Sequence, residues 1–152
     1  MNLWILRHAR ASDHSDSGRD RDRPLSERGR QACQNLNAWL QATGHVLPRK
    51  ALVSPALRTQ QTAELAFNQL PIKCHEDDRL WMATCSELVE LVDGSDQDLF
   101  LVSHNPGLEA LVHHYQCDLP VPGLKPGTLV IIDLADRKQP QLLEVVPPNE
   151  AT

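Results

Sequence analysis

Three short apolar runs end in residues whose side chains could do chemistry together. Leu3–Leu6 passes into Arg7 and His8, and Leu99–Val102 passes into Ser103, His104 and Asn105. Ala51–Val53 passes into Ser54 and Pro55, with Arg58 close behind. Guanidinium groups fork onto phosphate oxygens, and a neutral imidazole carries a nucleophilic lone pair. Two arginines and two histidines at one place therefore suit phosphoryl transfer, a chemistry these groups can perform without a metal. Taken singly, each residue has a plainer role, as a structural histidine or a surface arginine. Convergence at one edge favours a shared anionic ligand, because buried cations need an anionic partner.

The elements that would position these residues follow from hydrophobic pattern. The three apolar runs have the length and near-continuous hydrophobicity of strands covered on both faces. Each precedes a helical pattern. Ala32, Leu36, Trp39 and Leu40 recur at helical spacing between a Ser26 cap and a stop at Gly44. Leu57, Ala63, Ala66, Phe67 and Leu70 mark a second helix ending before Pro71, and Ser86–Val92 a third. A fourth is expected to start near Pro106 with Asn105 as its cap. Leu129–Asp133 and Leu142–Val145 read as closing strands, while 12–24 and 116–127 read as loops. Alternating strands and helices predict a three-layer α/β/α sandwich with a mostly parallel central sheet. In such a sheet the strand carboxyl ends and the following helix amino ends form the ligand-binding edge.

Composition narrows the function classes. With 20 acidic against 15 basic side chains and a net charge of -5, the 152-residue chain lacks the basic footprint of a nucleic-acid or anionic-membrane binder. No apolar run approaches the ~18 residues of a membrane helix, and no leader pattern opens the chain. A cytoplasmic protein is expected. Cys33, Cys74, Cys85 and Cys117 are scattered without metal-ligand spacing and read as free thiols. A single domain over 1–146 is expected, with 147–152 as a frayed tail. His14, His45 and His75 read as exposed, and the adjacent His113 and His114 cannot both face one site.

Four motifs in order resemble the histidine phosphatase superfamily, and within it the small phosphohistidine phosphatases of the SixA type. They are LRHA at 6–9, DRPLSERG at 22–29, LVSPALRTQQTA at 52–63 and LFLVSHNPGLEALV at 99–112, and the resemblance covers about residues 1–134. It implies a phosphoglycerate mutase-like fold. It further implies that His8 is the nucleophile, that Arg7 and Arg58 hold the phosphoryl oxygens, that His104 donates to them, and that Arg23 also reaches the phosphate. No cofactor and no metal are implied.

Two positions depart from the pattern. Arg10 follows the Arg-His-Ala motif where acidic residues or lysine are common. Met82, in DDRLWM, stands where related branches resemble the stretch with Arg-Leu-Asn-Glu, whose glutamate is the general acid. A thioether cannot donate a proton. An alkoxide leaving group needs one, commonly from a carboxylic acid, whereas an imidazole leaving a weaker P–N bond needs less help. The expected activity is therefore removal of a phosphoryl group from a phosphohistidine of a partner protein, by a monomer, through a covalent His8 intermediate. A small-molecule phosphomonoesterase would need a loop carboxylate, with Asp13, Glu76, Asp77, Asp78 and Glu87 as candidates. A phosphate-binding module without turnover would not need both His8 and His104.

Overall fold

The run that leads into Arg7 is strand β1 (Asn2–Arg7), and its four apolar side chains are fully shielded from solvent. The computed structural model describes residues 1–119 and 123–152; of the loop expected over 116–127, residues 120–122 lie outside the described residues. The other strands are β2 (Lys50–Val53), β3 (Lys73–Glu76), β4 (Leu99–Ser103), β5 (Leu129–Asp133) and β6 (Gln141–Val146). The helices are α1 (Glu27–Ala42), α2 (Leu57–Ala66), α3 (Cys85–Asp93) and α4 (Gly107–His114). One sheet runs in the order β3-β2-β4-β1-β5-β6, parallel from β3 to β1 and antiparallel at β5 and β6.

Side-chain alternation along β1 divides the core between the two faces of the sheet. Leu3 and Ile5 join Leu88, Leu108, Leu111 and Val112 of α3 and α4. Trp4 and Leu6 join Leu36, Leu40, Ala63 and Ala66 of α1 and α2. The result is the three-layer sandwich with its phosphoglycerate mutase-like topology. Two helix starts follow capping chemistry: Ser26 accepts from the Gly29 amide, and Thr84 and Glu87 form a reciprocal capping box ahead of α3.

Several boundaries differ from the sequence reading for local reasons. Strand β3 has no counterpart in the sequence pattern: all four of its residues are exposed on the sheet edge, so no apolar run marks it. Helix α2 ends at Ala66, before Phe67–Leu70, where Gln69 takes a positive φ of 62°. Pro106 is the cap residue of α4 rather than its first helical residue, and Asn105 Oδ1 still accepts from the Glu109 amide at 3.2 Å. The terminal residues expected to fray lie along α1. There Asn35 donates to the carbonyls of Asn149 and Ala151, and Arg10 donates to both Glu150 carboxylate oxygens at 2.7 and 3.1 Å. His45 is half-buried, edge-on against Trp4.

Candidate active site

Backbone pairing at the sheet's carboxyl edge continues one residue past the strands. Arg7 pairs with Ser103, the His8 amide donates to the Ser103 carbonyl at 3.0 Å, and the Ser54 amide donates to the Val102 carbonyl at 3.0 Å. This extension holds Arg7, His8, Ser54 and His104 on a rigid frame. The Ala9 amide donates to Thr62 Oγ1 at 3.0 Å, tying the turn after His8 to α2. Packing is close on the other side as well: a Cβ at Gly29 would run into the Arg10 carbonyl, so α1 can approach the turn only with glycine there.

His8 is 8% exposed, and its Nδ1 lies 2.7 Å from the Ala9 carbonyl. A carbonyl oxygen can only accept, so Nδ1 carries the proton and Nε2 keeps its lone pair. The His8 and His104 rings are 5.3 Å apart between centroids. His104 Nε2 lies 2.8 Å from Ser54 Oγ, and the Trp81 indole meets its ring edge-to-face. Arg7 Nη1 donates to the Leu124 carbonyl at 2.9 Å, and the same carbonyl accepts from Asn105 Nδ2 at 3.0 Å.

Arg58, in the first turn of α2, is 6% exposed and reaches the same edge. Its Nη1 donates to the Asp20 carbonyl at 2.8 Å and its Nη2 to Asp20 Oδ2 at 3.1 Å. Arg23 Nε donates to Asp20 Oδ1 at 3.0 Å, while its Nη1 donates to the Ser12 carbonyl at 2.9 Å. Arg7 Nε, Arg58 Nε and His104 Nδ1 are buried without a hydrogen-bond partner among the described residues. Folded proteins leave few such atoms, and three of the five found among the described residues fall at this edge.

The surroundings keep both imidazoles neutral. Burial, reinforced by the charges of Arg58, Arg7 and Arg23, pushes His8 down to about 4, with the Ala9 carbonyl opposing. Burial and the neighbouring His8 and Arg58 push His104 down to about 3. Burial lowers Arg7 and Arg58 from the usual arginine value, while Glu109 and Asp20 respectively work against the change. Burial raises the Asp20 carboxyl, but Arg58 and Arg23 outweigh it and hold the group below the usual carboxylate range.

Beside these residues lies a cavity of about 500 Å³ lined by Trp81, Met82, Pro106, Ala110, His104 and Arg58, among others. Met82 is 78% exposed with a positive φ of 55°. Asp20 is the one acidic side chain lining the cavity among the described residues. Three of the five loop carboxylates singled out from sequence serve other structures. Glu87 caps α3, Asp77 forks onto Arg79, and Glu76 sits on the edge strand. Sequence reasoning passed over Asp20, Trp81 and the Leu124 carbonyl. Asp20 lies within an alternating charge run that reads as solvated, and Leu124 contributes only a backbone atom.

Comparison with known proteins places this geometry in context. The family model described as histidine phosphatase superfamily (branch 1) matches residues 3–81. An uncharacterised protein of Picosynechococcus sp. (strain ATCC 27264 / PCC 7002 / PR-6), SYNPCC7002_A2622, is 38% identical over 65 residues, 43% of this chain and 39% of that protein's length. A solved structure from Agrobacterium tumefaciens, provisionally named phosphohistidine phosphatase SixA, is 28% identical and superposes with a TM-score of 0.83 over 97% of this chain and 98% of that one. The protein histidine phosphatase SixA complexed with tungstate (23% identity, TM-score 0.77, 97% of each chain) shares the fold. So does the alpha-ribazole phosphatase of Shigella flexneri (19% identity, TM-score 0.72, 99% and 98%).

Proposed function

The chain belongs to the histidine phosphatase superfamily (branch 1), a family of hydrolases acting on phosphoryl groups, and from that premise we propose that it is a metal-independent phosphohistidine phosphatase acting on a partner protein. The observation that carries this reading is the tautomer of His8. With Nδ1–H committed to the Ala9 carbonyl, Nε2 presents its lone pair beside the Arg7 and Arg58 guanidinium groups.

In the proposed reaction Nε2 attacks phosphorus, the bond from phosphorus to the leaving nitrogen breaks, and its electron pair goes to that nitrogen. Solvent protonates the departing imidazole. Arg7, Arg58 and Arg23 hold the phosphoryl oxygens as charge spreads over them, and His104 adds a further contact. Water then attacks the phosphorylated His8, releasing inorganic phosphate and returning Nε2 with its lone pair.

Two features favour phosphohistidine as the substrate. Position 82 offers an exposed thioether and no carboxyl proton. The neighbouring cavity has a largely apolar wall, suited to an imidazole and the residues flanking it. A second reading, phosphomonoester hydrolysis, rests on one observation: Asp20 brings a carboxyl group to the cavity's edge, and it would have to leave Arg58 and Arg23, which hold it ionised, before it could donate a proton.

Initial rates on a phosphohistidine peptide, a phosphoserine peptide, a sugar phosphate and p-nitrophenyl phosphate separate the two. The expected result is turnover of the phosphohistidine peptide and the aryl phosphate, with the alkyl esters nearly inert. Comparable rates on the phosphoserine peptide or the sugar phosphate would move the assignment to phosphomonoesters. Activity should survive EDTA; loss that zinc or magnesium restores would refute the metal-free scheme.

A further inference from the structure

Arg58 already grips an anion of the protein's own. One carboxylate, that of Asp20, accepts from Arg58 Nη2 through Oδ2 and from Arg23 Nε through Oδ1. These are two of the three arginines given above to the phosphoryl oxygens. The partners differ in freedom: the Arg58 side chain is 7% exposed, whereas that of Asp20 is 61% exposed on a short surface turn, Asp20–Asp22. The guanidinium is therefore fixed by its surroundings, and the carboxylate can swing into water. Its backbone carbonyl keeps the Arg58 Nη1 bond whatever side chain stands at position 20.

We propose that Asp20 is an internal competitor for the phosphate site, displaced by the entering phosphoryl group and returning to Arg58 and Arg23 as inorganic phosphate leaves. The proposal rests on the reading that these arginines hold the phosphoryl group. A carboxylate that must be expelled before any phosphoryl ligand binds weakens substrate, transition state and product by one common factor. It therefore raises KM and the inhibition constant of phosphate together. The benefit falls on product release, because an inorganic phosphate dianion shared by three arginines in a half-buried site would otherwise leave slowly.

The test is calorimetric titration of the whole protein with inorganic phosphate, alongside steady-state hydrolysis of p-nitrophenyl phosphate. Asp20→Asn keeps the shape of the side chain and removes its charge. Phosphate should bind this variant roughly three- to tenfold more tightly, as expected for loss of a charge-assisted pair with one exposed partner. The value of kcat/KM should rise by a similar factor through a lower KM, with no rise in kcat. Unchanged phosphate affinity would overturn the proposal. So would weaker binding with a reduced kcat, which would make Asp20 a strut that positions the two arginines. Asp20→Ser, which shortens the side chain on an exposed turn, is read by the same criteria if the asparagine variant melts early. A wild-type protein that neither binds phosphate nor is inhibited by it would instead refute the assignment of the arginines, a distinguishable failure.

Discussion

At the scale of single residues, the site depends on keeping one nitrogen unprotonated among several cations. Because burial and three arginines push His8 down to about 4, kcat/KM corrected for substrate ionisation should stay level from pH 7 to about 5 and fall only below that. An acid limb centred near the ordinary histidine value of 6.5 would mean that His8 is not desolvated as described. Rapid quenching without acid, followed by peptide mapping, should place the phosphoryl label on residue 8, and His8→Ala should abolish both label and turnover. Arg58→Lys tests geometry separately from charge. It keeps the cation but loses the planar fork, so kcat should drop by about a hundredfold or more, the usual loss of a transition-state donor. Near wild-type turnover in that variant would place Arg58 outside the reaction.

At the scale of elements, strand ends and helix starts bring remote residues together. Arg7, Ser54 and Ser103 are side by side because β1, β4 and β2 pair in parallel and the pairing runs on into the loops. Helix α1 braces the turn after His8 from outside. Ser26 both caps the helix and donates to the Arg10 carbonyl, and Gly29 packs against that same backbone group. Gly29→Ala would force helix and turn apart. It should destabilise the protein by about 1–3 kcal/mol, the common cost of overpacking, with a lower Tm in thermal melts and reduced turnover. A variant that melts like the wild type would show that the turn yields without cost.

At the scale of the whole molecule, the two neutral imidazoles link stability to pH. In the unfolded chain a histidine takes up its proton near 6.5, but the folded protein resists until about 4 at His8 and about 3 at His104. Between those values the unfolded state binds more protons, so stability rises with pH and is lost on acidification from about 6.5 downward. Carboxylates held low by arginines, such as Asp20 and Asp77, add a loss of the same sign at lower pH, below their ordinary value of 3.8. Thermal melts should therefore show Tm falling between pH 6.5 and 4.5, and His8→Asn should flatten part of that slope. An identical slope in the variant would remove His8 from the account.

The layered α/β architecture and the convergence of Arg7, His8, Arg58 and His104 on one edge were legible in the chain. Strands buried on both faces need continuous apolar runs, and polar residues that interrupt such runs at their carboxyl ends have one sheet edge to occupy. Strand β3 left no such trace, because a short exposed edge strand is held by backbone pairing to β2 and by no apolar pattern. The same limit applies to the contacts of the terminal segment, which meets side chains of Asn35 and Arg10 far away in the chain. Asp20 is the sharpest case. Within the run GRDRDRP it is one charge among several, and only the folded path of its loop seats it on Arg58, 38 residues away. Hydrophobic periodicity records how one element is buried, whereas the meeting of a loop carboxylate with a helix arginine depends on where both elements have already been packed.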